Sequence, residues 1–280
     1  MRLGGENAQV DALPFWLSIA VLSLLQGATV ALVRIPEALH ARIGRPRMAF
    51  AAIPALSVLL FVVVVRAFAQ SAEALTYLAL IAVPLLAGAA IGMLAGWRLS
   101  APLTCALFAL AWAGRGSPAA QLAGGALDAL SCAALGSVLA LLAPRRALAL
   151  GIYAMAAVDT TLIVVEELQR PNSVLNAVRP LAQLPQLQAE AFGSAVMGYG
   201  DLFVAGVLGG LLVLHFGRSA QLQGAIAVAV LALLFDLLFF AVHELPATVP
   251  VAGALALHDA LRMRAAGTVA RSTSARSAVH

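Results

Sequence analysis

Long apolar runs separated by short polar breaks set the pattern of this chain. A helix needs about 20 apolar residues to cross a hydrocarbon core of about 30 Å. On that measure the predicted spans are roughly 13–33, 48–69, 75–96, 100–114, 121–143, 147–166, 191–214, 221–242 and 246–260. The fourth and ninth are short, and the fourth also reads as a re-entrant segment, which would lower the count. Stretches such as Ala51–Val65 and Gln223–Val242 are too continuously apolar for the alternating strands of an outer-membrane barrel. Helices are the other structure that satisfies its backbone inside a bilayer. The expected fold class is therefore all-α, a polytopic membrane bundle of about nine transmembrane helices.

Composition narrows the function classes. The 280 residues are 62% hydrophobic and 11% charged, with mean hydropathy +0.96. An ordinary soluble domain is about 45–50% apolar and about 25% charged. A soluble enzyme, a disordered chain and a nucleic-acid-binding module are excluded on that ground, and no nucleic-acid partner is expected. All 17 basic residues are Arg. They fall in a few clusters, which read as topology signals. With nine spans and the N-terminus outside, the inner segments carry Arg34, Arg42, Arg45, Arg47, Arg98, Arg145, Arg146, Arg218, Arg262, Arg264, Arg271 and Arg276. The outer ones carry Arg2, Arg66, Arg115, Arg170 and Arg179. Twelve against five places the N-terminus outside and the C-terminal tail in the cytoplasm. That is the orientation expected of a multi-pass protein of a plasma or inner membrane.

The tail, 265–280, is rich in Ser, Arg, Thr and Ala without apolar periodicity, and is predicted to be disordered. Glu6 and Asp11 precede the first apolar run, the wrong flank for a cleavable signal peptide. Cys105 and Cys132 lie in apolar stretches without CxxC spacing, so neither a disulfide nor a metal site is expected. No metal-ligand spacing or nucleotide loop is present, and no cofactor is expected. The longest polar interruption is Glu166–Glu190, where Pro171, Pro180 and Pro185 forbid a long regular helix. It reads either as a solvated connector or as a mobile gate. His243 and Glu244 read as residues of the outer interface.

Four acids fall inside apolar spans: Asp128, Asp159, Asp201 and Asp236. Charges at such depth are costly and mark functional sites by default. Asp159 lies about midway along the span that starts near Ala147. Asp201 lies about midway along the one that starts near Ala191 and runs the other way. At ~1.5 Å per residue their depths are ~18 Å from the inner face and ~15 Å from the outer face. Both reach the middle of a ~30 Å core. Consecutive antiparallel helices are usually neighbours. Two carboxylates facing each other at short range hold one proton between them, the arrangement with which aspartic proteases activate water. Gly198-Tyr199-Gly200 precedes Asp201, and its glycines would let a substrate backbone approach the acid. Tyr199 would either shape the cleft or pack between helices. Pro246 and Pro250 open the last apolar run, where freed backbone groups could pair with an extended peptide. Asp128 and Asp236 read either as relay groups or partners of the catalytic acids, or as groups that cap, pair with a hydroxyl or face a water pocket.

An Asp in span six, Gly198-Tyr199-Gly200-Asp201 in span seven and Leu245-Pro246-Ala247 opening span nine, in that order, resemble the presenilin and signal peptide peptidase family of intramembrane aspartyl proteases. The resemblance covers about 147–261. Val158 stands where the family has Tyr before its first Asp, and Thr248 where it has Leu after Pro-Ala. The resemblance implies a presenilin-like bundle with N-terminal helices in 1–146, catalytic helices in 147–264 and the tail 265–280. It implies Asp159 and Asp201 as the catalytic pair, and Gly198, Tyr199, Gly200, Leu245, Pro246 and Ala247 at the substrate. Single-span membrane proteins or signal peptides would be the substrates, the lipid bilayer the setting, and a homo-oligomer stays open. Type IV prepilin peptidases share Gly-x-Gly-Asp, but usually carry a Lys two residues on, where this chain has Phe203. A proton-coupled transporter would use midplane carboxylates equally well.

Overall fold

The computed structural model describes residues 15–37, 48–67, 71–114, 116–165, 167, 169–242 and 244–277. Arg2, Glu6, Asp11, Arg42, Arg45, Arg47, Arg115 and His243 lie outside the described residues. The chain is mostly helical. In order come α1 (Phe15–Leu32), α2 (Ile53–Ala67), α3 (Ser71–Ala95), α4 (Trp97–Ala113), α5 (Pro118–Leu142), α6 (Arg145–Val164) and the short α7 (Gln169–Ala177). A two-stranded antiparallel hairpin follows, β1 (Ala189–Phe192) and β2 (Ala195–Gly198), with Ala189 opposite Gly198. It leads into α8 (Tyr199–Phe235), a 3-10 turn at Asp236–Phe240, and α9 (Thr248–Ser277).

Among the described residues five helical stretches are long and apolar enough to cross a membrane: α1, α3, α5, α6 and Tyr199–Phe240. The expected count of about nine is not supported by length and composition. α2 has 15 residues and α4 has 17. At ~1.5 Å per residue both fall short of a full core. The predicted seventh span begins late, because 189–198 are a hairpin and not the first turns of a helix. The seventh and eighth apolar stretches are joined in α8. The last helix runs to Ser277 and so crosses 265–277, the segment whose composition predicts disorder. Ala and Arg, frequent there, are good helix formers.

α8 is not straight. Gly217 has φ 84° and ψ 177°, a conformation open essentially only to glycine. In a continuous helix Leu212 and Gly224 would lie about 18 Å apart. Instead a Cβ on Gly224 would fall on Leu212 Cδ1, so 199–216 and 218–235 fold back on each other. The first half runs alongside α1 and the second returns against it. Gly209 meets the Val30 carbonyl, Gly27 meets Ala225 and Ala229, and Ser23 bonds Asp236. Just past the reversal, Arg218 donates to the Ala31 carbonyl at 2.5 Å. Gln221 donates to the Val30 and Val33 carbonyls at 2.7 and 3.0 Å. The Val30 and Ala31 carbonyls lie in the last turn of α1 and that of Val33 just after it, so none has a partner within the helix.

The centre of the molecule is α8, with α1, α5, α6 and α9 packed around it and α3 and α4 outside α5. α5 and α8 approach so closely that a Cβ on Gly136 would overlap Gly206, and one on Gly206 would meet the Cys132 carbonyl. Small residues at such a seam let backbones touch, which is how helices pack without a hydrophobic driving force. The outside is apolar, as the core is. Leu60, Ile81, Leu85, Leu150, Ile226 and Phe240 are more than half exposed, while Gln26, Thr29, Asp128, Ser131, Ser137, Asp159, Gln221 and Thr248 are buried within a largely apolar core. An apolar exterior is what a lipid solvent selects. The chain therefore reads as a membrane protein.

Candidate active site

Asp159 lies in the last third of α6, roughly 21 Å from its first residue by the helical rise. Its side chain is buried, and its Oδ2 accepts a hydrogen bond from Thr248 Oγ1 at 2.7 Å. The Thr248 backbone N–H also reaches it. Thr248 is the first residue of α9, where N–H groups have no partner inside the helix. A carboxylate there satisfies one of them and meets the positive end of the helix dipole.

Asp201 is the third residue of α8, and its Oδ2 accepts the Gly198 N–H at 3.1 Å. An acid at this position reaching back to the residue before the helix is a common way to close its first turn. Gly198 also matters sterically, since a Cβ there would sit 3.2 Å from that same oxygen. Asp201 is therefore in the first turn of its helix, not midway along it as the apolar run suggests. Depth in the bundle is nevertheless retained by a different route. Tyr199 Oη is 2.8 Å from Ser131 Oγ, and Ser131 is near the middle of α5. α8 thus starts about halfway along α5, and the hairpin fills the level above it. α9 starts in the same way. Gln26 Nε2 donates to the Ala247 carbonyl at 2.7 Å, and Gln26 is just past the middle of α1. Irregular backbone at this level is tolerable because protein surrounds it.

Two half-length starts and the far third of α6 thus hold two pairs, Asp159 with Thr248 and Asp201 with Gly198, and the charge of Asp159 acts on Asp201. Leu245, Pro246 and Ala247 lead directly into Thr248. The carbonyl of Ala247 accepts from Gln26 and that of Pro246 from the Val249 N–H at 3.0 Å. Tyr199 turns toward α5, among Leu127, Leu130 and Ala134, the packing alternative. The other two acids go elsewhere. Asp236 accepts from Ser23 Oγ at 2.5 Å, a carboxyl paired with a hydroxyl. Asp128 is fully buried against Glu190 of β1.

Three participants escape the sequence reading. Thr248 registers there only as a departure from a motif. Glu190 is assigned to the end of a polar connector, yet it and Leu187 are buried. The alternation of Ala189-Glu190-Ala191-Phe192 is the one local sign of a strand. Gln26 gives no sign at all. Among the described residues no three of His, Cys, Asp or Glu converge as a metal ion would require. The chain matches no family model, no curated protein and no solved structure.

Proposed function

We propose that this chain is an intramembrane aspartyl protease in which Asp159 and Asp201 act as one catalytic pair. The observation that carries the reading is their convergence. Two acids from different helices lie near enough for the charge of one to act on the other, each with a fixed donor on one oxygen, and the ion pair of Arg145 with Asp259 lies elsewhere. In the proposed reaction one carboxylate takes a proton from water while the other, protonated, donates to the peptide carbonyl oxygen. The water oxygen bonds to the carbonyl carbon, the C–N bond then breaks, the leaving amine takes a proton from one acid, and a hydroxyl of the diol returns one to the other as the new carboxyl forms. Substrates would be single-span helices or signal peptides, unwound locally. β2 runs directly into Gly198 and its outer edge would pair with an unwound strand.

The presenilin-like arrangement belongs to this proposal, with α2 and α4 crossing as short helices to complete about nine spans. So does the topology with the N-terminus outside and α9 ending in the cytoplasm. A second reading, proton-coupled transport, draws on the further buried pair Asp128 and Glu190, since a chain of internal carboxyls suits a proton relay. Purified protein in detergent, given a fluorogenic single-span peptide, separates the two. Cleavage that Asp159→Asn and Asp201→Asn both abolish is the expected result. Full cleavage by either variant would end the protease reading, and gradient-driven uptake without a peptide product would replace it.

A further inference from the structure

Glu190 reaches from β1 into a slot on α5. The slot exists because Gly125 has no side chain: a Cβ there would stand 2.7 Å from Glu190 Oε1 and 2.9 Å from Leu25 of α1. One turn along the same face is Asp128. Both acids are buried, at 4% and 0% exposure, away from bulk solvent. Neither oxygen of Asp128 has a hydrogen-bond donor among the described residues, and the group that faces it is the Glu190 carboxyl. Two bare carboxylates cannot stay together in such a place without a cation or a proton. Among the described residues no Arg side chain faces them. The titratable neighbours are Tyr199, at the start of α8, and Cys132, one turn further along α5. What α1, α3 and the residue Leu187 contribute around the pair is apolar.

We infer that Asp128 and Glu190 form a latch in which one shared proton holds the β1–β2 hairpin against α5, and loss of that proton releases it. The rest of the docking is slight: Gly193 N–H to Gln121 Oε1 at 2.9 Å, Ser194 N–H to Ser18 Oγ at 3.3 Å, and a small cluster of Phe192 and Ala195 on Ile19 and Leu22. Burial pushes the Glu190 carboxyl up to about 8. A carboxyl raised in the docked state stabilises docking fully at acid pH. That stabilisation drains away as pH climbs from the ordinary carboxyl range toward about 8. The hairpin ends at Gly198, whose N–H holds Asp201, so its release reaches the first turn of α8. The latch stands whether or not the chain is a protease.

The test follows a buried position of the hairpin. In a Cys105→Ala, Cys132→Ala background, Ala195→Cys places a thiol at the α1 contact and Ser194→Cys places one on the exposed turn. Maleimide labelling of the purified protein in detergent is measured for each from pH 5 to 9. Taking the ratio of the two rates removes the intrinsic pH dependence of thiols. The ratio is expected to rise at least about tenfold with pH. It should stay low and flat once Glu190→Gln or Asp128→Asn is added, because an amide supplies its own N–H to the remaining carboxylate. A flat ratio in the parent, or an unchanged rise in both amide variants, would overturn the latch. Either amide variant alone suffices should the other fail to fold.

Discussion

Asp159 takes two donors from a single residue, and that makes Thr248 the sharpest point at which to probe the pair. Thr248→Val keeps the shape and the backbone N–H but deletes the hydroxyl. Loss of a hydrogen bond to a charged group costs about 1.5–3 kcal/mol. Peptide cleavage should therefore fall roughly tenfold to a hundredfold, while Thr248→Ser restores most of it and both variants keep the thermal melt of the parent within a few degrees. For the acids themselves, Asp159→Asn and Asp201→Asn should each abolish cleavage, and the double variant should lose little more, as expected of groups that act as a unit. Asp236→Asn, which keeps a partner in Ser23, should cleave nearly as the parent does. Asp159 and Asp201 are legible in the sequence because an acid in an apolar run is costly wherever it lies. Glu190 is not, because its partner is far off in the chain and nothing local distinguishes a buried acid from a solvated one.

Helix starts are the least readable elements. A hydropathy window carries straight through Ala191–Gly200, since the hairpin is as apolar as the helix it precedes, and so it misplaces the beginning of α8 by about two turns. What decides the matter is packing from other elements: Ser131 on Tyr199, Gln121 on Gly193, Ser18 on Ser194. Glycines, by contrast, can be assigned a consequence each. Gly206→Val puts branched carbons where the Cys132 carbonyl already is, and should lower the melting temperature in detergent by the equivalent of about 1–3 kcal/mol or more. Gly217→Ala has open space around it but the wrong backbone, φ 84°. It should cost about 1–3 kcal/mol through strain alone. A melt of Gly217→Ala indistinguishable from the parent would mean that the reversal does not need that conformation.

For the whole molecule, composition alone gives the class, because an apolar exterior needs so many apolar residues that no soluble fold could carry them. The number of crossings does not follow in the same way. Hydropathy counts apolar length, whereas crossing depends on how much of that length is straight helix. Orientation rests on the Arg asymmetry, and cysteine labelling of intact cells checks it. A thiol introduced in 265–280 should be protected from an impermeant reagent until the membrane is opened, and ready labelling from outside would reverse the assignment.

The fold-back at Gly217 bears on how such a chain enters the bilayer. Because 199–216 and 218–235 lie side by side, the polypeptide comes back to the level from which it set out, and Asp236 ends beside Ser23, in the middle of α1. In insertion terms α8 has even parity. Its two halves carry the chain away from that level and back to it, so gaining or losing both together would leave everything downstream the same way round. The sidedness of α9 would then be inherited from the helices before Tyr199.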